Sequence, residues 1–150
     1  MLTPLALVSF IKKQQAADFS KLAATAKSEY ASCTIYLSDK TTIDHVLLAE
    51  TRAQMAKGLS GRIEPSRMLF RFAPPDEITL WMKDTHFDIV AYLFDDVGAL
   101  VETFNMYANT DTFHMSETKV RFVLELPQNE AQKFNIKQST KIKDVSCPFY

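Results

Sequence analysis

A chain of 150 residues, 47% hydrophobic and 23% charged, has room for one domain with a real core and some extension at its ends. Its 17 basic and 18 acidic residues leave a net charge of −1, which speaks against a long phosphate-tracking surface and so against nucleic acid as a partner. Three glycines and 11 phenylalanines point to an aromatic core with few free hinges.

Residues 1–11 read as an arm. The apolar-leaning run Leu2–Ile11 is about half the ~20 residues a membrane-spanning helix needs, and Thr3, Pro4 and Ser9 interrupt it. Lys12 and Lys13 follow the run instead of preceding it, the reverse of an export signal. A cytoplasmic or virion-associated protein is therefore expected in preference to a secreted one. Across 12–30, Phe19, Leu22, Ala23, Ala26 and Tyr30 recur at three- and four-residue steps, the pattern of an amphipathic helix. Its apolar stripe is thin and alanine-rich, better suited to docking on a neighbouring subunit than to burial in its own domain. Residues 1–31 are accordingly read as an arm with a helix, and 32–150 as a β domain.

The period then changes to two. Cys33–Leu37 and Thr41–Ala49 read as strands around a turn at Ser38-Asp39-Lys40. Thr51 and Gln54 form a capping-box pattern that opens a short helix, and Gly58 suits its end. Arg67–Phe72, Ile78–Met82 and Asp88–Phe94 read as strands, with Pro74-Pro75-Asp76 separating the first two and Asp95–Gly98 turning after the third. Both faces of Asp88–Phe94 are mostly apolar, as in a central strand covered on both sides. Ala99–Asn105 follows as its hairpin partner. A polar loop over 107–117 leads to a strand at Lys119–Leu126, with Val120, Phe122, Leu124 and Leu126 on one face. One or two helical turns over 129–135, a strand at Lys141–Val145 and the tail Cys147–Tyr150 complete the chain. About eight short strands with regular turns predict a mainly β, antiparallel sandwich or barrel with one or two short helices. A βαβ layout is disfavoured, because no helical pattern alternates with the strands. Cys33 and Cys147 sit at opposite ends of this domain. A bridge between them would close it, but unpaired thiols are the default, since pairing needs close Cα atoms and an oxidising compartment.

Several segments carry a resemblance. Glu50–Arg62, Met68–Phe72, Trp81-Met82-Lys83-Asp84-Thr85 followed by Asp88-Ile89, Val123–Pro127 and Asn135–Lys137 occur in one order and spacing. Together they resemble the family of unknown function number 192, over about Thr34–Val145. The resemblance implies a jelly-roll-like β-sandwich and no settled activity. Ser60 stands where the family has methionine, Asp84 where it has asparagine, His86-Phe87 in the place of Pro-Leu, and Ser139 where glycine is common.

The densest polar cluster is Lys83, Asp84, Thr85, His86 and Asp88, beside Trp81 and Met82. The bland reading is a structural polar network, with Arg62 and Arg71 satisfying Asp84 or Asp88 and Thr85 bonding the turn's backbone. The sharper reading is a ligand site. Trp81 and Tyr92 would form a flat platform, and Lys83, Asp84 and Arg62 would orient a sugar, a peptide end or a small acid. No catalytic residue, metal or cofactor is assigned. His86-x-Asp88 lacks a paired histidine, and Gly58-Leu59-Ser60-Gly61 lacks nucleophile-elbow spacing. The leading expectation is a non-enzymatic structural or interaction subunit of a larger assembly, such as a virion, with protein partners met through residues 1–30 and the tail Cys147–Tyr150. The alternative is a small-molecule-binding domain or hydrolase built on the Trp81–Asp88 corner.

Overall fold

A computed structural model describes residues 30–148. The expected arm, nearly all of the helix expected over 12–30 and the last two residues of the tail fall outside these.

The period-two segments form strands β1 (Ala31–Leu37), β2 (Thr42–Ala49), β3 (Arg67–Asp76), β4 (Thr79–Leu80), β5 (Ile89–Phe94), β6 (Leu100–Met106), β7 (His114–Met115), β8 (Val120–Pro127) and β9 (Ile142–Ser146). Helices α1 (Arg52–Lys57) and α2 (Gln128–Phe134) are both short. Seven strands make one sheet in the order β6-β5-β8-β3-β2-β1-β9, curled into a half-barrel. β4 and β7 pair as a separate ribbon. This ribbon replaces both the longer strand expected at Ile78–Met82 and part of the loop expected over 107–117.

Local chemistry explains the boundaries. Thr51 Oγ1 accepts from Gln54 N at 3.1 Å and Gln54 Oε1 accepts from Thr51 N at 3.1 Å, the reciprocal capping box foreseen for α1. Asp95 Oδ1 accepts from Val97 N at 3.0 Å and Ala99 N at 2.9 Å, which folds the β5–β6 turn. β3 runs on through Pro74 and Pro75, contrary to expectation. The prolines lie within a break in the β3–β8 register between Arg71 and Asp76, where no ladder donor is required.

The sheet is not wholly antiparallel. β2 and β3 run parallel, from Val46 opposite Arg67 to Ala49 opposite Phe70, and residues 50–66 make the crossover. The six residues of α1 are too few to print a helical period, so the crossover was invisible to a search for alternating helices and strands.

One face of the sheet holds the main core, with Ile35, Ile43, Val46, Leu69, Phe94, Leu124 and Leu126 all buried. Alternation puts Met68, Phe70, Ile89, Ala91, Leu93 and Val123 on the other face of the central strands, and these are buried too. β5 is buried at every position, as its sequence led one to expect.

The edge strands meet at one end. Ala99 bridges Lys141, and Ile142 N donates to Gly98 O at 2.9 Å. Gly98 has φ +80°, and a Cβ there would stand 2.5 Å from the Ile142 carbonyl oxygen, so the closure requires glycine. Beside this seam β1 pairs with β9, Thr34 lying opposite Ser146. That register sets Cys33 against Cys147, and they form a disulfide with Cα atoms 4.3 Å apart across 114 residues of chain. Unpaired thiols were the default from sequence. The pairing corrects this, because contact between the first and last strands creates the proximity that spacing alone does not reveal.

Candidate functional site

The site begins with one residue of β8. Phe122, Leu124 and Leu126 point into the main core, so period two directs Val123 and Glu125 to the opposite face. β8 lies between β3 and β5, and Glu125 is paired with Met68 on one side and Ala91 on the other. Both neighbours are fully buried and apolar. Glu125 itself is only 6% exposed. Its carboxyl makes no hydrogen bond or ion pair among the described residues, and burial alone pushes its pKa up from 4.5 to about 8. No fully enclosed side-chain nitrogen or oxygen among the described residues lacks a hydrogen-bond partner, so the Glu125 oxygens keep a sliver of exposure toward the space beside them, and an ionised carboxylate there is still costly.

Glu125 opens onto a cleft of about 340 Å³. One wall is α1 and the turn after it, through Met55, Lys57, Gly58 and Leu59. The other is the segment Leu80–Thr85, with Phe70 and Ile89 at the base. The second wall is a tight turn, not a strand. Thr85 N donates to Met82 O at 3.1 Å, and Asp84 takes a left-handed φ of +54°. Aspartate and asparagine both tolerate that conformation, so Asp84 in the place of asparagine keeps the turn. The two walls are tied together where Gly61 N donates to Asp84 O at 2.8 Å. Simple alternation would split Trp81 and Lys83 from Met82 and Asp84. The turn instead brings all four to the cleft, with Met82 buried and the other three at the mouth.

Trp81, 48% exposed, stacks on Phe113 with ring centroids 5.7 Å apart, and Lys83 Nζ lies 5.3 Å from the Trp81 ring centroid. The buried Thr85 hydroxyl donates to Lys83 O at 3.3 Å, which leaves its lone pairs available.

The structure brings together Trp81, Lys83 and Asp84 of the expected ligand set, but not the rest. Tyr92 belongs to the main-core face and lines a different depression with Val90 and Leu100. Burial raises its phenol pKa. Phe113, not Tyr92, completes the aromatic surface beside Trp81. Arg62 faces another groove, where its Nε donates to Ser66 Oγ at 3.0 Å. Arg71 pairs with Glu50 at 2.8 Å. The expected pairing of these arginines with Asp84 or Asp88 is thus replaced by partners nearer along β3 and the crossover. Asp88 steadies the corner differently, accepting from Ala108 N at 2.8 Å through its side chain and from Gln128 N at 2.9 Å through its carbonyl. Thr85 O takes Asn109 N at 2.9 Å, and His86 Nδ1 meets Asn109 Oδ1 at 2.9 Å.

The model of the DUF192 family, described as "Uncharacterized ACR", matches residues 34–143. The chain belongs to the DUF192 family. No curated protein matches it. Among solved structures, the DUF192 domain is similar to a protein of unknown function from Novosphingobium aromaticivorans, at 24% identity and TM-score 0.66, covering 77% of this chain and 85% of that one. It is also similar to a Sinorhizobium meliloti protein provisionally described as a transcription regulator, at 21% identity and TM-score 0.66, covering 79% and 93%. These likenesses establish the fold alone. Every residue of the Glu125 cleft falls inside the matched DUF192 span. Among the described residues, no helix of the DUF192 domain is long and apolar enough to cross a membrane.

Proposed function

We propose that this DUF192 domain is a small-molecule-binding module whose ligand enters the cleft between α1 and the Trp81–Thr85 turn and is read by Glu125. One observation carries the reading: a carboxyl nearly buried on the sheet face, without a polar partner among the described residues, opens onto a cleft lined by Trp81, Lys83 and Asp84. A cleft in which apolar side chains meet convergent polar groups and a perturbed acid is a recognised form of binding site, and this one mixes the two about evenly. Small acids, considered from sequence, suit a floor carboxyl poorly. A ligand that offers it a proton donor or a cation suits it well. The subunit role expected from the arm and tail rests chiefly on residues outside those described, and nothing in the β domain adds to it. The Cys33–Cys147 bridge supports an oxidising compartment for the domain, against the cytoplasmic expectation.

The test is a screen of neutral, anionic and cationic small molecules by NMR, following the Trp81 indole and the methionine methyl groups. Binders that shift Trp81, Met55 and Met82 together support the reading. Binders confined to the distant groove of Tyr92, or no binder from the whole library, would overturn it.

A further inference from the structure

From the chemistry of the same cleft, and resting on that reading, we infer that its ligand carries a primary ammonium group on an apolar stem, with the ammonium innermost against Glu125. Four observations converge on this class. The floor offers one carboxyl with no cation paired to it among the described residues. The cleft is also lined by Met55, Leu59, Phe70, Met82 and Ile89, which match a hydrocarbon stem. The Thr85 hydroxyl lines the same space with lone pairs to spare, a second acceptor for a head group with three donors. No cluster of three or more metal-ligating side chains exists among the described residues, so a bare metal ion would find too few ligands here.

The outer charges refine the choice. Among the described residues, Lys57 on α1 and Lys83 and Asp84 on the turn are the charged groups that line the cleft besides Glu125, while β3 and β5 present only Phe70 and Ile89. Two lysines at the mouth repel a second cation and attract an anion. An ω-amino acid therefore fits better than a diamine of the same length.

Binding has a proton balance. In the empty cleft near neutral pH, Glu125 holds its proton, because burial has raised its pKa to about 8. As the ammonium docks, the carboxyl O–H bond breaks, the proton passes to the buffer, and a carboxylate–ammonium pair remains. No other reactant is needed. Affinity should then rise about tenfold per pH unit as pH approaches 8 from below and level off above about pH 8.

The experiment is isothermal titration of the whole chain with 5-aminopentanoate, n-pentylamine, 1,5-diaminopentane and 1-pentanol. Each is run near pH 7 in two buffers of different ionisation enthalpy. The expected result is binding of 5-aminopentanoate and n-pentylamine with release of about one proton, and at least tenfold weaker binding of the diamine and the alcohol. Glu125→Gln should cost more than tenfold in amine affinity and abolish proton release. The proton count on the unmodified chain keeps the test decisive if that variant folds poorly. Amine binding without proton release, or pentanol bound as tightly as pentylamine, overturns the inference. Cleft signals in the NMR screen that move only with neutral or anionic compounds overturn it too, while leaving the binding-module reading intact. Silence from compounds of every charge removes both.

Discussion

Replacing Glu125 by glutamine should flatten the pH dependence of folding stability. Below about pH 4.5 the carboxyl is protonated in both folded and unfolded chains, and it contributes no pH-dependent difference. Above that, the unfolded chain ionises while the fold holds its proton, so stability falls as pH rises. The fall proceeds at about 1.36 kcal/mol per pH unit and ends near pH 8, where the folded group ionises as well. Between about pH 5 and pH 7.5 this amounts to about 3 kcal/mol for a group buried as deeply as Glu125. Urea unfolding of the wild type and of E125Q at a series of pH values measures it. Subtracting one curve from the other cancels the remaining titrating groups. E125Q should gain about 3 kcal/mol relative to wild type across that interval, whatever its absolute stability. Parallel curves would refute the assignment of a protonated, unpartnered Glu125.

The Cys33–Cys147 bridge closes a span of 114 residues, so Cys33→Ser should lower stability by about 4–5 kcal/mol in non-reducing urea titrations. Mass spectrometry after alkylation without reductant should find no modified cysteine in the wild type. Gly98→Ala should cost about 2–4 kcal/mol, read as a lower denaturation midpoint, because its methyl collides with the Ile142 carbonyl oxygen where the edge strands meet. Trp81→Ala should change stability by only about 1 kcal/mol, since the ring is half exposed and stacks on one partner. The same variant should weaken any cleft ligand at least tenfold in titration.

The sequence by itself determined most of the strands and both short helices, because period-two alternation, the Thr51–Gln54 capping box and the Asp95–Gly98 turn are local properties of the chain. It also identified the family, through the order of its segments, and drew attention to the Trp81–Thr85 corner. Trp81, Lys83 and Asp84 do share a cleft there, although a positive φ at Asp84 and not strand alternation brings them together. What the tertiary structure decided depends on which strands became neighbours. The parallel register of β2 and β3 and the contact of β1 with β9 join segments far apart in the chain, so neither the crossover nor the disulfide could be read from spacing. The arginines turned to partners set by the crossover and β3, which local sequence does not specify. Glu125 was the most consequential residue passed over. Its strand shows an apolar face at Val120, Phe122, Leu124 and Leu126, and period two says nothing of what covers the other. A signal was present, a single acid amid Val123, Leu124, Leu126 and Pro127. Only with β3 and β5 on either side, and α1 and the Trp81 turn laid over them, does that acid become a buried carboxyl at the floor of a cleft.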